Sequence, residues 1–257
     1  MKGRLLTAII AALFACNAAA QDQVEVRGDA VKPGPIAIST GTRLSTVLNA
    51  AQVNAESYWL GAAWLHQPLV KEQQRLKAGV LFDLQLLRRN ALLDDQPSLA
   101  ELAKRLEEQV AVLPVTGRRP HLLDPVNAEV DPAQNPPVSA GDIFIYPPRP
   151  DSIRVMGAVQ ADCTLAHAPL QQARIYLQQC ASRAEADPDY LYLIQPDGQV
   201  SRLGIALWNR QDDMAPPAPG AIILVPLKAA GSDSPIPDLN QELAEFLATQ
   251  PLSEVAR

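Results

Sequence analysis

Three cysteines and three histidines in 257 residues leave little material for a metal centre. His66, His121 and His167 are scattered, and neither a CxxC nor an HxxxH spacing occurs, so no metal site is expected. Basic charge is short as well: 22 Lys and Arg stand against 28 Asp and Glu, a formal net charge of −6. Without a Lys/Arg stripe to neutralise phosphates, nucleic acid is excluded as the main partner. Long apolar runs are missing after residue 20, so the mature chain is expected to carry no transmembrane helix. No Gly-rich phosphate loop, G-x-S-x-G elbow or HExxH occurs, and the acidic pairs Asp94-Asp95 and Asp212-Asp213 sit among turn residues. Neither catalytic residues nor a cofactor are therefore expected.

What is present is a globular composition, 47% hydrophobic and 19% charged, which excludes a disordered, collagen-like or polytopic membrane chain. The length suits one large domain, or two small ones and an insertion. Proline is plentiful, at 23 residues, so many short elements are expected rather than a long helical array.

Residues 1–20 have the order of a secretory signal. Lys2 and Arg4 precede the apolar run Leu5 to Ala15 and the small residues Ala18, Ala19 and Ala20. Cleavage after Ala20 would make Gln21 the mature N-terminus. Leu13-Phe14-Ala15-Cys16 offers a competing lipobox, with a lipid on Cys16, although Phe14 is bulky for such a motif. If cleavage follows Ala20, Cys163 and Cys180 remain, either as a disulfide in an oxidising compartment or as two buried thiols.

Two stretches of the chain repeat each other. Val24 to Val31 and Ile153 to Val159 each alternate apolar and polar residues into a glycine, Gly28 or Gly157. Gly141 to Pro147 and Gly220 to Pro226 each place a turn glycine before a short apolar strand stopped by proline. Gly157 follows Gly28 by 129 positions but Gly220 follows Gly141 by 79, so the first copy is 50 residues longer. The excess falls at about 56–110. There Leu69, Gln73, Leu76, Val80, Leu84 and Leu87 keep helical spacing, and Ser98 with Glu101 suggests a capping box before Leu99, Leu102, Leu106 and Val110. A helical hairpin is predicted.

Each copy is also expected to hold its own helix, over Thr42 to Gln52 and Leu170 to Ala181. A strand from Val200 to Trp208 is expected to end with its indole over the core edge. The reading is α+β: two β-grasp (ubiquitin-like) domains over 21–149 and 150–228, the first with the hairpin, then a linker and a C-terminal amphipathic helix within 229–257. Asp238 is expected to cap that helix, whose stripe is Leu239, Leu243, Phe246 and Leu247. The stripe either packs on its own domains or meets a partner or membrane surface.

Two groups of side chains are candidates for binding. Tyr58, Trp59 and Trp64 lie just before the hairpin, where they serve either as core or as faces for sugar rings. Arg118 and Arg119 follow Val115-Thr116-Gly117, and can anchor a loop or face a carboxylate of an acidic polysaccharide.

Together Gly28, Pro33-Gly34 and Arg43-Leu44 resemble a soluble-ligand-binding β-grasp module of polysaccharide export proteins. Tyr58-Trp59-Leu60-Gly61-Ala62, Val115 to Arg118, Gly141-Asp142, Gln195 to Gly198 and Trp208-Asn209 narrow this to a resemblance to the GfcC-type capsule biosynthesis family. That resemblance implies a periplasmic, non-catalytic accessory role in capsule or exopolysaccharide export in a Gram-negative bacterium. It implies polysaccharide or outer-membrane export proteins of the Wza type as partners, with peripheral contact at the outer membrane. The rival reading is an enzyme that trims or modifies the polymer.

Overall fold

The computed structural model describes residues 22–211, 213–231 and 234–253. Residues 1–20, read above as a secretory signal, and Cys16 among them lie outside these, as do Asp212 and the last four residues.

The first half of the chain builds β1 (Gln23–Gly28), β2 (Gly34–Ala37), α1 (Leu44–Ala51), β3 (Ala63–Leu65), α2 (Val70–Leu93), α3 (Pro97–Val112), β4 (Arg118–Arg119), α4 (Pro125–Val130) and β5 (Ile143–Tyr146). The second builds β6 (Ser152–Gly157), β7 (Cys163–Ala166), α5 (Ala173–Tyr176), β8 (Tyr190–Ile194), β9 (Val200–Gly204), β10 (Ile222–Val225) and α6 (Leu239–Ala248). The sheets have the same plan. Their orders are β2-β1-β5-β3-β4 and β7-β6-β10-β8-β9, and in each the first and last strands run parallel while the other pairs are antiparallel.

The glycines that mark the repeat have a steric cause. Gly28 (φ +84°) and Gly157 (φ +99°) end the first strand of each sheet beside the parallel last strand. A Cβ on Gly28 would stand 1.9 Å from the Tyr146 carbonyl oxygen, and one on Gly157 would stand 2.3 Å from that of Val225. No side chain fits either place, and the positive φ disfavours one independently.

The first core lies between its sheet and α1. Val24, Val26, Trp64, Phe144 and Tyr146 face Leu44, Val47 and Leu48, while Glu25 and Arg27 on the opposite face pair with each other at 2.8 Å. The second core is larger because the hairpin belongs to it. Val80, Leu84, Leu87, Leu102, Leu106 and Val110 join the apolar residues of the second sheet and of α6 in one cluster. The insertion leaves the first half and covers the second. Polar contacts fix it there: Arg105 donates to the carbonyls of Gly157, Val159 and Gln160 at 2.7–2.8 Å, and Arg183 donates to Ser98 Oγ at 2.9 Å.

Several local expectations need correction. The hairpin helices span 70–112 rather than 56–110, because Ala63–Leu65 is recruited as a strand beside β5 and Leu69 ends a 3-10 turn. Ser98 caps nothing; α3 starts a residue earlier at Pro97, with Gln96 at the cap position. The second-half helix is one turn, Ala173–Tyr176, since Leu170 takes φ +61° and is 84% exposed. Strand β9 stops at Gly204, leaving Trp208 in a turn and 71% exposed rather than on the core edge.

Candidate functional site

The two halves meet around Arg118. Strand β4 pairs with β3 through Trp64 and Arg119, and its other residue, Arg118, is only 2% exposed. Arg118 Nη1 donates to the carbonyls of Ala248 and Gln250, both at 3.1 Å, where α6 ends. Nη2 donates to the carbonyl of Ala62 at 3.2 Å and to that of Pro196 in the β8–β9 turn. One guanidinium thus ties the first sheet, the second sheet and the C-terminal helix. Carbonyls at a helix end carry partial negative charge, which suits a cation there. Burial pushes the Arg118 pKa down to about 10, and the side chain stays charged at neutral pH. Its surroundings are reinforced by Thr116 Oγ1, which donates to the Thr249 carbonyl at 2.7 Å, and by Gln73, which donates to the Arg118 carbonyl at 2.8 Å.

Arg119 and Trp64 form a separate group. The guanidinium carbon of Arg119 lies 4.5 Å from the Trp64 ring centroid. Trp64 is fully buried, 5.2 Å from Phe144 and edge-on to His66 and His121, so its indole offers no face to a sugar. His66 Nδ1 lies 2.6 Å from Asp142 Oδ1, while Asp142 Oδ2 accepts from the Ser139 amide. That carboxylate holds the turn before β5.

Tyr58 and Trp59 do reach an open concavity. A cleft of about 510 Å³ lies where the chain crosses between the halves. Tyr58, Trp59 and Leu60 line it from one side, Ala218 and Pro219 from the other, and Pro147, Pro148 and Arg149 along the connection, with Asp29 and Glu56 at hand. Tyr58 Oη donates to the Pro219 carbonyl at 2.6 Å and closes one end. Burial pushes the phenol up to about 12, only partly offset by Arg149, so it remains a donor. The exposed Arg149 guanidinium lies 5.5 Å from the Tyr58 ring. An aromatic wall with a cation and two carboxylates in reach suits a polar ligand with apolar faces. Among the described residues no group of three or more His, Cys, Asp or Glu side chains could hold a metal ion.

Sequence reasoning missed Arg149, although it is the one cation in the run Pro147-Pro148-Arg149-Pro150. It also missed Asn240, on the buried face of α6, whose side chain both donates to and accepts from the backbone of Leu227 at 2.9 Å. Nothing in an isolated Asn announces such a role.

The C-terminal stripe of Leu239, Leu243, Phe246 and Leu247 is fully covered, packed against α2, β8 and β9. Asp238 stands at the start of α6 without a side-chain capping bond. Described residues before it are anchored: Ile236 is buried, and Asn240 also donates to the Ala230 carbonyl at 3.3 Å. Cys163 and Cys180 form a disulfide that joins β7 to the chain after α5.

The fold and the site define a tandem α+β repeat clamped at its junction by a buried arginine, with an aromatic cleft beside the crossover. Residues 20–148 match the model of the capsule biosynthesis GfcC N-terminal family, and residues 163–251 that of its C-terminal family. The chain belongs to the GfcC capsule biosynthesis family. It is 27% identical over 194 residues, 75% of this chain and 76% of the relative, to the uncharacterized protein YjbG of Escherichia coli (strain K12).

Proposed function

We propose that the chain is a non-catalytic accessory protein of capsule or exopolysaccharide assembly and export, built from two β-grasp modules and working in the periplasm after cleavage behind Ala20. Lipidation at Cys16 is the alternative form of the same exported protein. Membership of a capsule biosynthesis family supports the process. The Cys163–Cys180 disulfide supports an oxidising, extracytoplasmic compartment. No helix among the described residues is long and apolar enough to cross a membrane, which fits contact with export proteins or polymer from the aqueous side.

The observation that carries the reading is the junction. Arg118 ties Ala62 of the first half to Pro196 of the second, and Tyr58 bonds the Pro219 carbonyl across the cleft that Tyr58, Trp59 and Arg149 line. A preorganised cleft with an exposed guanidinium suits binding, and the one serine hydroxyl in its lining, Ser57 Oγ, is hydrogen-bonded to no base. The cleft takes either a stretch of polysaccharide or a segment of the export machinery.

Deleting the gene and measuring surface polysaccharide tests the role. Loss of surface polymer, restored by the wild-type gene and poorly by Arg149→Ala, is expected. Incubating the purified protein with the polymer and following its size tests the rival enzyme: depolymerisation would refute the accessory reading.

A further inference from the structure

The loop after β9 reverses the usual division between inside and outside. Its polar side chains turn in upon the backbone. Asn209 Oδ1 accepts from the Ala206 amide and its Nδ2 donates to the Asp189 carbonyl, both at 3.0 Å. Gln211 Oε1 accepts from the Gly204 amide at 3.0 Å. The apolar side chains face water instead: Leu207 is 88% exposed and Trp208 71%. Scattered exposed apolar residues need no explanation. An indole held in one orientation does, and Trp208 is so held. Its Nε1–H donates to Asp189 Oδ1 at 3.1 Å, and its ring stands at 88° to Tyr190 with centroids 6.2 Å apart.

The neighbours of that ring are chemically specific. Arg202, an exposed residue of the edge strand β9, places its guanidinium carbon 3.6 Å from the Tyr190 ring centroid. It forms no salt bridge among the described residues. Asp189, whose Oδ1 accepts from the indole, has a second carboxylate oxygen. The exposed ring of Trp208 thus stands beside Tyr190, whose own face Arg202 covers, with the guanidinium as a donor and Asp189 as an acceptor in the same group. A pyranose ring has the complementary form: one face of C–H groups that lies on the electron-rich face of an aromatic ring, and a rim of hydroxyls or a carboxylate that hydrogen-bonds sideways. A purely apolar protein anchor would leave Arg202 and Asp189 unanswered.

We propose that Trp208, Tyr190, Arg202 and Asp189 form a sugar-stacking platform that binds a residue of the exported polysaccharide. The proposal rests on the accessory reading above but uses a different surface. Tyr190 begins β8, whereas Pro219 of the cleft precedes Ile222, which pairs with the last residue of β8, Ile194. The platform and the cleft therefore lie at opposite ends of one strand.

The test is affinity electrophoresis of the purified full mature chain in native gels cast with capsular polysaccharide from the encoding organism. The wild type should be retarded. Trp208→Ala should weaken binding by about ten-fold or more, Trp208→Phe by no more than about three-fold, and Arg202→Ala by an intermediate factor. Because these side chains are exposed, melting temperatures should stay at the wild-type value, which separates lost binding from lost folding. Equal retardation of Trp208→Ala and wild type would overturn the platform, as would a wild type that the polymer does not retard. Gene deletion distinguishes the two levels. If deletion abolishes surface polysaccharide while the protein ignores the polymer, the accessory role stands and the platform falls. If deletion changes nothing at the surface, the accessory reading itself falls. A Trp208→Ala strain that loses surface polysaccharide while its protein still binds polymer would assign the loop to a protein partner and overturn the proposal.

Discussion

The two sheets share strand order and direction but not their surroundings. In the first, β1 alternates: Val24 and Val26 are buried under α1, while Glu25 and Arg27 face water. In the second, the matching strand β6 likewise exposes Arg154 between buried Ile153 and Val155. Its sheet, however, shares one cluster with the hairpin and α6 as well as α5, and all four residues of the central strand β10 are buried. Sequence alone does not separate the sheets, since Ile143-Phe144-Ile145-Tyr146 of β5 is as unbroken as Ile222-Ile223-Leu224-Val225 of β10. The difference lies in what the hairpin covers. What covers the second sheet is borrowed from the first half of the chain, so the second half is expected to depend on the first more than the reverse.

The largest test of that dependence is Arg118→Ala. It removes four hydrogen bonds from a charged donor and strands the carbonyls of Ala62, Pro196, Ala248 and Gln250 in three separate segments of the chain. Hydrogen bonds to charged groups contribute about 1.5–3 kcal/mol each, so a loss of at least roughly 3 kcal/mol is expected in chemical denaturation. Arg118→Lys should rescue little, since an ammonium lacks the planar fork. A melting curve unchanged in either variant would dismiss the clamp.

Next come core truncations chosen to break the asymmetry. Phe246→Ala in α6 should cost about 3–5 kcal/mol, and Leu106→Ala in the hairpin about 2–5. Both residues belong to the cluster of the second sheet. Hydrogen exchange should therefore show Leu106→Ala loosening β8 and β10, although the substitution lies between β3 and β4. If β1 and β5 loosen instead, the borrowed cover is refuted. A smaller effect is expected from the Cys163–Cys180 disulfide, which closes a separation of 17 residues. Replacing both cysteines by serine should cost about 3 kcal/mol or less, detected as a lower denaturant midpoint.

Much of this plan was legible in the sequence, for physical reasons. Gly28 and Gly157 stand out because a backbone carbonyl excludes any Cβ there, and the spacing between them locates the insertion. The stripes of α2, α3 and α6 follow from burial at helical period. What they pack against does not, since a stripe specifies an apolar surface without naming it. The site was readable in pieces. Arg118 follows the glycine of a tight chain exit, but its partners are carbonyls, which every residue has. Tyr58 and Trp59 were visible as aromatics, whereas Trp64, only a few residues on, became core by joining β3. Trp208 was misplaced because Ile205-Ala206-Leu207-Trp208 continues the apolar pattern of a strand that in fact turns out after Gly204.

The smallest expected effect contrasts charge on the two sheets and reverses sign between them. Arg27 hydrogen-bonds Glu25 on the open face of the first sheet and holds its carboxyl below the usual range. The stabilisation is therefore present above the unfolded carboxylate pKa and is lost as pH falls through the lowered value. On the second half, Glu242 of α6 is pushed up by burial and by Asp83, Asp238 and Glu245, and Asp83 of α2 is raised by burial and by Asp238. Folding there prefers the protonated acids, so that preference is full below the unfolded pKa and disappears as pH rises through the raised value. Glu242→Gln should accordingly stabilise the chain at pH 7 by about 0.3–0.5 kcal/mol, the size of a like-charge contact on a helix surface. Near pH 4 the gain should vanish. Glu25→Gln should do the opposite, destabilising at pH 7 by a few tenths, as exposed ion pairs do. Denaturant midpoints of both variants at the two pH values check the pair of signs. A Glu242→Gln variant that destabilises at pH 7 would mean that the α2–α6 contact gains from its charges, and that the cover of the second sheet is held electrostatically as well as by its apolar stripe.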